Sequence, residues 1–465
     1  MGVFQRFLLL SVIALFFNAG VYAQTSEAVV VGNITLGGNR ITRESIILRE
    51  LEFSEGDSLK ISEIENVLSR SRKNLLNLPL FHFVAISHHT SEIPGHINID
   101  VVVSERWYTW VWPVFELSDR NFNTWFRNGD LTRLSYGLFL QQENFRGRLE
   151  KLHIKIKLGY QQEAMLLYEK PYLNRSKTLG AGMLISVSRQ RETGYITSND
   201  KLIFYRANDF LLHTFDLSTF VRYRPDIHFT HTFQLRYNSL QATDSLLLLN
   251  PDYTLAECRE PAFLELSYLL KADFRDQRAY PLNGWYVEAS AVKTGILAID
   301  AYHFFSAKLI FRAYHQFNRN WFLAGSFTSR LMTRQNMPYY LSQALGYRRD
   351  YVRGYEYYVV DGNNFWLAKI NFKFALSKPA IVHLKWPHTA KFNTVPYSLY
   401  MGAFIDGGEV WPDKLYSNNR LQEEVLRGAG VGLDFVTYYD KVVRAEFSVN
   451  GRGESGFFLH FMAAI

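Results

Sequence analysis

The chain has 465 residues, 51 Lys and Arg against 44 Asp and Glu, and a net charge of +7, with 48% hydrophobic and 16% aromatic residues. A mean hydropathy of −0.12 excludes a helical membrane protein of this size, whereas a transmembrane β-barrel accommodates both numbers because only every second residue faces lipid. Cys258, the single cysteine, excludes an intramolecular disulfide and a Cys-based metal site, and the basic residues are scattered without a block, which argues against nucleic acid and for solvation of loops and a lumen beside anionic lipid headgroups.

Arg6 precedes an apolar run from Phe7 to Phe17, and Val21-Tyr22-Ala23 places small residues where a signal peptidase reads. Residues 1–23 therefore read as a secretory signal with cleavage before Gln24. The run is too short for a transmembrane helix, and no later stretch reaches about 18 apolar residues. An exported chain without disulfides must be held by its backbone ladder or its core.

Residues 24–104 read as a small α+β module. Val29 to Val31 and Ile34 to Leu36 are β-prone and end at the Gly37-Gly38-Asn39 turn. Thr42 opens a helical stretch with Ile46, Ile47 and Leu51 on one side, and Gly56-Asp57 breaks it. Ser62 with Glu65 forms a capping box for a second helix carrying Ile64, Val67, Leu68, Leu75 and Leu78, stopped by Pro79. Strands follow from Phe83 to His88 and from Ile97 to Val103. His88 and His89 are no metal pair, since adjacent strand residues point to opposite faces.

Residues 105–465 change to period two. Leu152, Ile154, Ile156 and Leu158 alternate with Lys151, His153, Lys155 and Lys157, while Phe233, Leu235 and Tyr237 alternate with Gln234, Arg236 and Asn238. Alternation alone fits a soluble sandwich or a barrel. The leader, the aromatic content and the charge on the polar face favour a transmembrane β-barrel of about 16 antiparallel strands, counting about 10 residues per strand plus loops. The Gly428-Ala429-Gly430-Val431-Gly432 run reads as strand glycines that permit a bend. Asp361-Gly362-Asn363-Asn364 reads as a polar turn, since the ligand spacing of a calcium loop does not follow. The sequence contains no nucleophile elbow, zincin motif or P-loop, so the reading is of a protein that is no enzyme and uses no cofactor or metal.

Near the end, Gly456, Leu459 and Phe461 fit the polar-x-Gly-x-x-hydrophobic-x-hydrophobic pattern of a terminal outer-membrane strand, with four residues beyond the last aromatic. Such a strand pairs with the first to remove free edges. Val352-Arg353-Gly354-Tyr355 sets an Arg on a Gly-containing loop. Phe404, Asp406 and Gly408 of Phe404-Ile405-Asp406-Gly407-Gly408 share a strand face, so Asp406 is placed to point inward. A bidentate Arg–carboxylate pair is among the stronger polar contacts.

Together these features resemble the BamA/TamA superfamily of outer-membrane proteins. The module is similar to a POTRA domain in its Gly38-Asn39 turn, Thr42, Gly56-Asp57, Leu78 and Phe81; Asn144-Phe145-Arg146-Gly147, Glu169-Lys170-Pro171-Tyr172 and Leu345-Gly346 resemble further family signatures. The resemblance implies a periplasmic N-terminal domain and an outer-membrane barrel. It further implies a loop whose Arg353 folds back into the lumen onto acidic residues of the inner wall. The family usually has a lumenal Glu where this chain has Asn371, so the anchor is expected to rest on Asp406, with Glu446 as a further partner, and to be weaker than usual. The implied function is insertion, assembly or translocation of polypeptides, with unfolded outer-membrane or secreted chains as clients and periplasmic or lipoprotein accessory subunits. The alternatives are a dedicated secretion porin for one partner and a passive accessory barrel.

Overall fold

The structure is a computed structural model describing residues 28–117, 134–255, 258–333, 336–377, 380–383, 394–411, 419–437 and 441–462. The leader expected at 1–23 lies outside them. The first domain runs β1 (Ala28–Gly37), α1 (Glu44–Leu48), β2 (Ser58–Lys60), α2 (Ile64–Leu76), β3 (Phe81–Thr90) and β4 (His96–Glu105). Its sheet has the order β2-β1-β4-β3, with β1 and β4 parallel and the outer pairs antiparallel.

Ile47, Leu75, Leu80, Phe81, Ile99 and Val101 are fully buried between the helices and one face of this sheet. Each such side chain contributes about 1.5–3 kcal/mol by leaving water. The capping box does not form. A 3-10 turn, Ile61–Glu63, leads directly into α2, so Ser62 already lies inside a helical turn and the helix has no side-chain cap. Thr42 does not cap α1 either; it is buried against the second domain.

The remaining strands are β5 (Thr109–Leu117), β6 (Leu134–Phe145), β7 (Glu150–Gly159), β8 (Gln161–Lys170), β9 (Leu179–Gln190), β10 (Glu192–Ser198), β11 (Lys201–Arg206), β12 (Leu212–Tyr223), β13 (Phe229–Ala242), β14 (Ala262–Asp273), β15 (Gly284–Thr294), β16 (Phe304–Gln316), β17 (Trp321–Met332), β18 (Gln343–Leu345), β19 (Val360–Asp361), β20 (Asn364–Ala375), β21 (Ala380–His383), β22 (Thr394–Trp411), β23 (Leu426–Thr437), β24 (Lys441–Asn450) and β25 (Ser455–Met462). All but the hairpins β10–β11 and β18–β19 join one closed barrel, in which β25 neighbours β5. β20 and β21 pair with successive stretches of β22, so the 17 described wall strands fill 16 positions.

Period two sorts the wall into two faces. Leu138, Ile156, Leu158, Phe233, Leu266, Phe311, Ile405 and Val431 point outward and are exposed, an apolar belt that fits hydrocarbon. The alternate residues point inward and are paired. Arg236 bridges Asp216 at 2.5 Å and Glu265 at 3.2 Å, while Lys155 meets Glu163 at 3.0 Å and Lys157 meets Glu116 at 2.7 Å. The lumen is not polar throughout. Leu345, Val352 and Tyr355 of the segment between β17 and β20 pack there against the inward-facing Phe365, Leu367, Val410 and Leu426.

Candidate functional site

The segment between β17 and β20 enters the barrel from the rim opposite the first domain, and its tip carries the Val352-Arg353-Gly354-Tyr355 motif. Val352 is fully buried, and Gly354 adopts φ 93°, a left-handed conformation that turns the chain back. Arg353 is 4% exposed. Its Nε donates to Asp406 Oδ2 at 2.8 Å and its Nη2 to Asp406 Oδ1 at 2.6 Å, while its backbone N–H also reaches Oδ2 at 3.1 Å. Its Nη1 donates to Asn371 Oδ1 at 2.8 Å and to Glu446 Oε1 at 3.1 Å. The guanidinium lies over the Phe404 ring, 3.6 Å from its centroid.

β20, β22 and β24 thus bring Asn371, Phe404, Asp406 and Glu446 to one cation. Asn371 supplies a neutral acceptor where the sequence reading saw a missing carboxylate. Gly408 lies under Val352, where a Cβ would come within 3.0 Å of Val352 Cγ2. Of the terminal-strand residues, Leu459 faces outward and Gly456 inward, and Phe461 pairs with Val443, its side chain lying outside the described residues.

Sequence reasoning missed Asp434 and Arg444, which build a second layer around the anchor. Asp434 lies between Arg444, bonded at 2.5 and 2.9 Å, and Lys373 at 3.3 Å, and Lys369 stands 3.8 Å from Asp406. Asp434 and Arg444 are register partners on β23 and β24, 10 residues apart in sequence, a signal that alternation contains. The glycine run lies in β23, as strand glycines should, and two of its members have a further use. Gly428 and Gly430 face inward, and a Cβ at Gly428 would fall 1.9 Å from the Arg353 carbonyl oxygen, one at Gly430 2.6 Å from the Phe404 ring. They admit the loop and the ring of the anchor.

At the opposite rim the first domain docks on the barrel. Glu50, 1% exposed, accepts from Arg224 of the β12–β13 turn at 2.6 and 2.9 Å, with Arg49 at 3.2 Å. Burial alone would push the Glu50 carboxyl up, but the charge and hydrogen bonds of Arg224, with Arg49 behind it, hold it below the usual carboxylate range. Arg49 also donates to the Lys177 and Arg224 carbonyls at 2.9 and 3.2 Å. Asn144 of the Asn-Phe-Arg-Gly signature donates to Thr42 Oγ1 at 2.9 Å, and Gly147 accepts from the Arg43 N–H at 3.0 Å. Tyr172 of the Pro-aromatic signature packs on the first domain's core. Beside this joint a cleft of about 360 Å³ opens between α2, the outer strand β3 and the near ends of β22 and β23, lined by Lys73, Phe83, Arg106, Tyr280, Tyr397 and Val436 among others.

A family model of the Omp85 superfamily domain matches residues 144–437, more than half the chain. The chain belongs to the Omp85 superfamily. The surface antigen variable number repeat, the POTRA module, matches residues 29–106. Among solved structures, BamA from Haemophilus ducreyi lacking POTRA domains 1–3 is similar at 16% identity and TM-score 0.50, over 93% of this chain and 83% of that one. CdiB from Escherichia coli is similar at 12% identity and TM-score 0.56, over 94% and 76%. No curated protein matches the sequence. The chain is an outer-membrane protein of this superfamily, with an Omp85 barrel and one POTRA domain, the kind of domain that is periplasmic in the family.

Proposed function

We propose that this Omp85 protein inserts or translocates polypeptides at the outer membrane, with residues 24–104 as the client-binding unit and 105–465 as the barrel. The observation that carries this reading is the position of β3. It ends the POTRA sheet, so its outer side is open for strand addition, and it flanks the cleft that leads to the near ends of β22 and β23. An extended client held there meets exposed Phe83, basic Lys73 and Arg106, and the membrane-proximal Tyr397.

A second observation supports passage along the wall. β5 and β25, the first and last of the described wall strands in chain order, meet at the closing seam. The anchored Arg353 loop projects into the lumen, which speaks against a passive pore. In-cell photo-crosslinking from Phe83 and His88 on β3 and from Leu459 on β25 tests the proposal. Crosslinks to many unfolded outer-membrane chains are expected; a single secreted passenger would instead make it a dedicated porin. No client at either position, with an unchanged outer-membrane proteome on depletion, would refute the proposal.

A further inference from the structure

Beside the anchor, three side chains from three separate elements converge without serving the Arg353 network fully. Glu356 comes from the inserted loop, Glu446 from β24 and His460 from β25, and one ligand atom of each lies within 4.8 Å of the others. Glu446 divides its oxygens. Oε1 receives Arg353 at 3.1 Å and has Arg444 at 3.7 Å, whereas Oε2 faces His460 Nε2 at 3.3 Å. Glu356 Oε2 accepts from the Gly354 N–H at 2.8 Å. Glu356 Oε1 and His460 Nε2 are both screened from solvent and lack a hydrogen-bond partner. Buried polar atoms left unmatched are costly, so a ligand that satisfies both is favoured.

We infer that Glu356, Glu446 and His460 form a binding site for one divalent transition ion of the zinc class. One imidazole and two carboxylate oxygens are a Zn²⁺ donor set, with a fourth position for water, and three donors fall short of the six to eight oxygens Ca²⁺ takes. Tetrahedral coordination at about 2.1 Å places ligand atoms about 3.4 Å apart, so side-chain rotation of about 1 Å closes the set. The main partners of the neighbouring guanidiniums lie elsewhere, Asp406 for Arg353 and Asp434 for Arg444, which leaves Glu356 Oε1 and Glu446 Oε2 for the ion. The bound ion would tie the loop to the strand that forms one side of the seam, a joint the Arg353 anchor does not make.

The test uses the full chain in detergent micelles, loaded with Zn²⁺ alone after chelator treatment. Wild type should retain one Zn²⁺ per chain, and Glu356→Gln and His460→Gln should each weaken binding at least tenfold while keeping the heat-modifiable mobility of a folded barrel. X-ray absorption should show a nitrogen/oxygen shell with one imidazole. The proposal fails if wild type retains no Zn²⁺, if the double variant binds as tightly as wild type, or if sulfur from Cys258 appears in the shell. Should His460→Gln fail to fold, Glu356→Gln, which alters a loop residue only, decides the matter.

Discussion

Arg353→Ala offers the most direct test of the lumen anchor. The substitution deletes two charge-assisted bonds to Asp406, one to Asn371, one to Glu446 and the stack on Phe404. The partners it strands are unequal. The Asp406 side chain is fully buried and keeps only the residue-353 backbone N–H and Lys369 at 3.8 Å, whereas Glu446 retains Arg444 at 3.7 Å and His460 at 3.3 Å. Breaking one side of a buried pair costs about 3–5 kcal/mol, and Lys369 offsets part of that, so a loss of about 3 kcal/mol is expected. Arg353→Lys keeps the charge without the fork and should lose roughly half as much. Urea unfolding in phospholipid micelles, followed by tryptophan fluorescence, measures both. A double-mutant cycle with Asp406→Asn should give a coupling of about 2–3 kcal/mol. If Arg353→Ala stays within about 0.5 kcal/mol of wild type, the range of an ordinary surface substitution, the Arg353–Asp406 contact is not an anchor.

Gly428→Ala should destabilise by about 1–3 kcal/mol, because its Cβ meets a backbone carbonyl that has nowhere to move; an unchanged melting temperature would show that the loop tip is not seated there. Ile405→Arg should cost about 2–4 kcal/mol for folding into lipid vesicles, the expected cost on a lipid face near the midplane. A neutral result would mean that the 67% exposed Ile405 does not face hydrocarbon. Docking of the POTRA domain should weaken in acid. The docked Glu50 carboxyl is depressed, so its contribution is complete above the undocked value of about 4.3 and fades as pH falls through the docked one. Spin-label distances between the POTRA domain and the β12–β13 turn should lengthen below about pH 4. Glu50→Gln should show that lengthening already at neutral pH and lose the pH dependence; distances insensitive to both would exclude the Glu50–Arg224 clamp.

The barrel was legible because alternation survives in nearly every wall strand, and length divided by strand size gives a strand count near the one observed. Alternation could not say which face meets lipid, since period two is the same for a sandwich core; the exposed side of Leu158, Phe233 and Ile405 supplies that. The Arg353 site was legible in part, because parity fixes Asp406 on the inner face. Its completion by Glu446, 93 residues away in sequence, was reached through the family resemblance, since no local pattern encodes that distance. The capping box failed because a 3-10 entry competed with the side-chain cap, a choice of about 1 kcal/mol that tertiary context decides. The Glu50–Arg224 clamp, 174 residues apart, left no trace in local spacing.

The hairpin β10–β11 lies outermost over the loop that carries Arg353. Asp200 accepts the Val359 N–H at 2.9 Å and the Leu421 N–H at 3.0 Å and pairs with Arg452 at 3.1 Å, while Thr197 donates to Asp361 at 3.1 Å. The hairpin is synthesised some 150 residues before that loop, as the Thr197–Tyr347 separation measures, yet in the finished molecule it rests on top of it. Every one of these partners lies at least 142 residues downstream, so hairpin and loop are complete only together, and either one seated alone leaves polar groups unmatched.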